Sequence, residues 1–124
     1  MKALSIIEPY ASLIAEGHKH IETRSWKTNY RGEILIHASA TRIPKEYRHL
    51  LPRVRQVRPG YILCRATLVD CVEMTEEFLA TVDPVERELG FYSLGRYAWI
   101  LDKVEPVEQV KVRGSLGLWY NSGV

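Results

Sequence analysis

Tyr61 to Val72 is a long β-rich run carrying Ile62, Leu63, Cys64, Ala66, Leu68, Val69 and Val72, and it follows the turn signal Pro59-Gly60. A strand must pair its backbone groups, and the chain supplies neighbours. Lys2 to Ile7 alternates loosely as a strand. Glu33 to Ala38 is largely apolar, so both its faces are expected to be buried. Tyr97 to Leu101 is a further strand, continuing through Val104 and Val107, with Pro106 confining that part to an edge, a bulge or a strand end. The helices are short. Pro9 opens one through Tyr10, Leu13 and Ile14, with Gly17 as its stop. Thr75 caps a second over Thr75–Leu79, and Asp83-Pro84 starts another helical turn. Gly90 to Gly95 is a glycine-bounded loop holding Phe91 and Tyr92, and Leu118-Trp119-Tyr120 closes the chain. Several strands with two or three short helices predict an α+β fold. A small mixed β-barrel with helices over its openings fits better than a parallel βαβ sheet.

The 124 residues fit one domain, 1–124, with a single sizeable core. No apolar run approaches the ~20 residues that cross a bilayer, and Met1-Lys2-Ala3-Leu4-Ser5-Ile6-Ile7-Glu8 lacks a signal-peptide pattern. The expected location is cytoplasmic, with no membrane partner. Cys64 and Cys71 lie seven apart in one strand-like run, an offset that predicts opposite faces and no mutual disulfide.

Net charge is +2 but uneven. Residues 1–59 hold 11 lysines and arginines against five acids, and residues 60–124 hold six against ten. That asymmetry suits a basic surface for an anionic partner, unless folding scrambles it. Ser39 to Gly60 is the most basic part, with Arg42, Lys45, Arg48, Arg53, Arg55 and Arg58 against Glu46 alone. Tyr47, Leu50, Leu51, Val54 and Val57 recur at roughly helical spacing, so one face packs down and the arginines point outward. There they either neutralise phosphates or form a solvated face.

Between the first helix and the strand from Glu33 lies the densest mixture of charge and aromatic surface, residues 17–32. If Ile21 to Trp26 is extended, Glu22, Arg24 and Trp26 share one side and Ile21, Thr23 and Ser25 the other. The first side is then solvated or built to hold a polar ligand. Lys19 and Glu22 within reach of one another shift each other's proton affinity, and burial near Arg24 lowers that of Lys19. Such a group can act as a base, hold a phosphate or base edge, or serve only as a structural ion-pair network. Trp26 and Tyr30 add a stacking surface, whereas Trp99 is expected to pack the core.

No phosphate-binding glycine loop, dinucleotide fingerprint, zincin histidine pair or nucleophile elbow occurs. His18 and His20 have no standard ligand spacing, and His37, on a buried strand, is expected to be a hydrogen-bonded core histidine. No metal and no cofactor is expected.

The run Leu4-Ser5-Ile6 … Pro9-Tyr10-Ala11 … Gly17-x-Lys19-x-Ile21-Glu22-x-Arg24-Ser25-Trp26-x-Thr28-x-Tyr30-Arg31-Gly32 … Leu35-Ile36-His37-Ala38-Ser39 resembles the ASCH domain family, named for activating signal cointegrator homology. Gly95-Arg96-Tyr97-Ala98-Trp99-Ile100-Leu101 and Gly114-Ser115-Leu116-Gly117-Leu118-Trp119 look similar to that family's closing strands and loop. The resemblance covers nearly the whole chain. It implies a PUA-like β-barrel with a cleft between helix and barrel, and RNA or other nucleic-acid binding.

Some relatives of that kind are enzymes. One branch resembles amidohydrolases of N4-acetylcytidine, in which the lysine matched by Lys19 activates a threonine three positions on. Here that position is Glu22, which has no hydroxyl. The expected function is therefore binding of RNA or a nucleotide, with DNA a further option. The binding residues would be Lys19, Glu22, Arg24, Trp26, Lys27, Tyr30, Arg31, Arg48, Arg53 and Arg55. The alternative is a hydrolase of a modified nucleoside or an RNA phosphodiester, with Lys19 and Glu22 as its acid–base pair.

Overall fold

The computed structural model describes residues 1–121. Ten elements follow in order: strand β1 (Lys2–Ile6), helix α1 (Tyr10–Ala15), β2 (Ile21–Arg24), β3 (Gly32–Ala38), a 3-10 helix (Lys45–Arg53), β4 (Ile62–Glu73), α2 (Glu76–Thr81), α3 (Pro84–Arg87), β5 (Tyr97–Pro106) and β6 (Leu118–Tyr120). The strands form one mixed sheet in the order β2-β5-β4-β3-β1-β6. The expected barrel-like fold is present as a curled half-barrel, since its edge strands β2 and β6 are not paired with each other among the described residues.

β1 runs parallel to β3, with Ala3 opposite Leu35 and Ser5 opposite His37. All other strand pairs are antiparallel. A parallel pair requires a crossover, and here it is long. The chain leaves β1, forms α1, reaches the far edge of the sheet as β2, and only then returns as β3. Residues 17–32 are that crossing, which is why a segment so polar is carried across the fold.

Side chains alternate as a pleat demands. Leu4 and Ile6 of β1 join Ile34, Ile36 and Ala38 of β3 in the main core, with Ala11 and Ile14 of α1 and Trp99 of β5. Ala3 and Leu35 point the other way, into a smaller cluster with Ile62, backed by Val107, Val112 and Trp119. Leu13 of α1, Leu50 of the 3-10 helix and Leu89 after α3 form a third cluster.

The helix ends behave as their residues dictate. Thr75 accepts the amide of Phe78 at 3.1 Å, Asp83 accepts that of Val85 at 2.8 Å, and Gly17 ends the first helical segment at φ +83°. Two local expectations are corrected. The basic 42–58 segment holds a 3-10 helix rather than an α-helix, with Pro52 inside it and only Leu50 fully buried. Cys64 and Cys71 do not face opposite ways. The β4–β5 register slips between Leu68 and Asp70, and this bulge turns Cys71 back toward the main core, where Cys64 already lies. Both thiols are free.

Candidate functional site

A cleft of about 1020 Å³ opens at the C-terminal ends of β1 and β3. Gly17 makes it possible. Its left-handed turn lets the amides of His18 and Lys19 both return to the Leu13 carbonyl, at 2.9 and 3.1 Å, and the chain re-enters the fold with Lys19 pointing inward. Lys19 is 0% exposed. Its ammonium donates to the Leu89 carbonyl, sits 3.6 Å from Glu22 Oε1, and lies 5.0 Å from the centre of the Tyr10 ring. Gly90 allows the segment after α3 to close over it, because a Cβ there would stand 3.0 Å from Thr23 Cγ2 and 3.3 Å from Lys19 Nζ.

Glu22 is 6% exposed, so the charged side of β2 is its inward side. Its second oxygen meets Arg24 Nη1 at 3.3 Å, and the Arg24 guanidinium lies 5.7 Å from the Trp26 ring. Trp26 stands edge-on to Trp99, with centroids 4.7 Å apart, and Trp99 Nε1 donates to the Trp26 carbonyl at 3.2 Å. Trp99 is fully buried, as expected, whereas Trp26 is half-buried. The strand start is held by Glu86, whose carboxylate accepts the amides of His20 and Ile21 at 2.9–3.0 Å.

Burial pulls the Lys19 ammonium below the ordinary lysine value of 10.5, and Glu22 and then Glu86 oppose it. The Tyr10 phenol is pushed up to about 12, chiefly by burial and then by Tyr47 and Glu22. Tyr92 is raised as well, by burial first and then by Glu86 and Glu22, and its hydroxyl is buried without a hydrogen-bond partner among the described residues.

Of the residues singled out in the sequence, Lys19, Glu22, Arg24 and Trp26 line the cleft together. The other expected binding residues, Lys27, Tyr30, Arg31, Arg48, Arg53 and Arg55, do not line it. Lys27 is exposed. Tyr30 donates to the Glu33 carbonyl at 2.8 Å, and Arg31 reaches Asp70 at 3.3 Å. Arg48 is exposed, Arg53 pairs with Glu88 at 3.1 Å, and the Arg55 amide is held by the Glu16 carboxylate.

The structure adds residues that local reading missed. Tyr10 and Tyr47 line the cleft edge-to-face at 5.1 Å, joined by Phe91, Arg96, Lys111 and Arg113. Among the described residues the lining therefore carries five cations, Lys19, Arg24, Arg96, Lys111 and Arg113, against one carboxylate, Glu22. On the far wall His37 is fully bonded. Nε2 meets the Val112 carbonyl at 2.9 Å, so Nε2 carries the hydrogen and Nδ1 accepts from Ser5 Oγ at 2.8 Å. Trp119 Nε1 donates to the same hydroxyl at 3.1 Å. Among the described residues no helix is long and apolar enough to cross a membrane.

The ASCH domain profile matches residues 4–112. Activating signal cointegrator 1 of Homo sapiens is 33% identical over 85 residues, covering 59% of this chain and 15% of that protein. Its Mus musculus counterpart matches to the same extent. The chain thus spans about 15% of the length of these curated relatives. Among solved structures, ASCH from Zymomonas mobilis has a TM-score of 0.62 at 16% identity, covering 98% of this chain and 87% of that one. A point variant of that protein gives 0.62 at 15% identity, covering 98% and 90%. At such identity the likeness establishes the fold.

Proposed function

This chain belongs to the ASCH domain family, and on that premise we propose that its cleft binds RNA, taking up one nucleotide at the Lys19–Glu22–Arg24 end. One observation carries the reading: five cations and a single carboxylate line a concavity that also presents Tyr10, Trp26, Tyr47 and Phe91. Cations recognise phosphate and aromatic faces stack bases, each stack being worth about 1–3 kcal/mol. Arg24 supplies a planar donor beside Trp26, and Glu22 supplies an acceptor for base N–H groups. The family's association with RNA points the same way. Whether the outer arginines Arg48, Arg53 and Arg55, with Lys27, Tyr30 and Arg31, extend the contact is part of the same test.

The test is a salt titration of single-stranded RNA binding. Affinity should fall linearly on a log–log plot, by about 0.7 in slope per phosphate neutralised. Trp26→Ala should weaken binding at every salt concentration. Absence of binding at low salt, to RNA and DNA alike, would remove the reading.

A second reading is hydrolysis, favoured by the depressed proton affinity of Lys19 beside Glu22. A neutral amine at Lys19 would take the proton of water or a hydroxyl as its oxygen attacks an acyl or phosphoryl centre, and that same proton would pass by way of Glu22 to the departing group as its bond to the centre breaks. Turnover of N4-acetylcytidine or labelled RNA should then vanish in Lys19→Ala. Wild-type turnover in that variant would end this reading.

A further inference from the structure

The cleft has two ends, and only one of them is used by a single nucleotide held at Lys19. At about 1020 Å³ it sits at the top of the ~300–1,000 Å³ range of pockets that bury one small ligand. Its far wall is built by Ser5 and His37, by Ser39 and Thr41 after β3, and by residues 111–117. Lys111 and Arg113 are exposed there, and neither side chain has a carboxylate within 4.0 Å among the described residues. Arg24, Arg31 and Arg53, by contrast, each face one, and Arg65 faces two.

The segment bearing these two cations is held in place at its root. Tyr61 bridges Lys111 across the sheet edge. His37 fixes the Val112 carbonyl, and Gly114 presses so closely that a Cβ there would fall 2.4 Å from Ser5 Oγ and 2.7 Å from His37 Cε1. Two such cations, on a pinned backbone and lining the cleft, are placed to meet an anion there. Ser39 and Thr41, hydrogen-bonded to one another at 2.8 Å, add hydroxyls on the same wall.

We propose that Lys111 and Arg113 form a phosphate subsite for the nucleotide next to the one at Lys19, so that the cleft's ligand is a single strand of at least two nucleotides rather than a free nucleoside or mononucleotide. This rests on the RNA-binding reading above and deepens it. Lys111 lies within the span matched by the family profile, residues 4–112, and Arg113 just beyond it.

The experiment compares a random-sequence RNA hexamer with an equimolar mixture of the four ribonucleoside monophosphates, on wild type and on the double variant Lys111→Gln/Arg113→Gln. Both residues are exposed, so the variant's unfolding midpoint should match wild type. The expected result is a loss of about tenfold or more in hexamer affinity at low salt. The log–log salt slope should shrink by about 0.7, the yield of one single-strand phosphate contact. Mononucleotide binding should stay within about twofold.

Wild-type hexamer affinity and slope in the double variant, with mononucleotides still bound, would overturn the subsite and leave the first end standing. An equal loss for both ligands would overturn it too, because the two cations would then serve the same nucleotide. If wild type binds neither ligand, the RNA reading fails and the subsite with it. A poly-glutamate peptide that binds as tightly as the hexamer and loses as much in the variant would reassign the surface to acidic protein partners.

Discussion

Residues 17–32 and 42–58 are the two most basic stretches of the chain, and the fold treats them in opposite ways. The first is drawn inward. Lys19 and Glu22 are buried together, and Arg24 closes the pair from the cleft side. The second stays outside. It is tied down by Leu50, by Val54 and Tyr10 around it, and by Glu16 holding the Arg55 amide. Arg53 finds Glu88, Arg58 stacks on Tyr61 at 4.2 Å, and no arginine of this stretch reaches the cleft. Density of positive charge along the chain therefore does not bring a stretch into the cleft. What does is a cation forced under the surface by topology and balanced by one acid three residues on.

The largest expected effect that tests this contrast is on stability. Glu22→Ala leaves a buried ammonium without its carboxylate and should cost about 3–5 kcal/mol, read from a denaturant midpoint. Adding Lys19→Met should restore most of it. Arg48→Ala, Arg53→Ala and Arg55→Ala should each stay within about 0.5 kcal/mol. Equal losses in both groups would erase the distinction.

Next in size is the far wall. Gly114→Ala drives a methyl into Ser5 and His37 and should cost about 1–3 kcal/mol. Gly17→Ala has open space but φ +83° and should cost about 1–2 kcal/mol. A neutral Gly114→Ala would mean that the segment yields and is not pinned.

A third outcome concerns pH. Folded Lys19 gives up its proton below the value of 10.5 that the unfolded chain keeps. In the window just below 10.5 the unfolded state therefore holds the extra proton, and raising pH through it favours the folded state. The stability of wild type relative to Lys19→Met should rise there. A flat difference would mean that the buried ammonium is held at its ordinary affinity.

The smallest effect lies where the second stretch meets α1, at the Tyr10–Tyr47 contact. A tyrosinate step at about 12 should disappear in Tyr10→Phe. It should move down in Tyr47→Phe, since Tyr47 helps to raise it. An unmoved step would show the two rings to be electrostatically independent.

Local chemistry in the sequence made the caps, the glycine stop after α1 and the strands legible, because each depends on neighbours within a few residues. The cluster at Lys19, Glu22, Arg24 and Trp26 was legible for the same reason. The fate of Cys71 was not, because a bulge against β5 reverses the parity that strand alternation implies. Neither was the far wall. Ser5, His37, Val112 and Trp119 are 32 to 114 positions apart along the bonds that join them. Glu86 was equally hidden, since its partners His20 and Ile21 lie 66 and 65 residues upstream. Parallel β1–β3 pairing and the long crossing create those meetings, and neither leaves a local signature.

Gly114 has a last consequence for how such a fold can diversify. Gly114 packs against Ser5 and His37 where no side chain fits, while Arg113, Ser115 and Leu116 around it are all exposed, Leu116 at 98%. The segment is thus a fixed hinge-point with interchangeable fingers. Swapping the fingers would change the chemistry presented to the cleft while leaving Gly114 seated on Ser5 and His37.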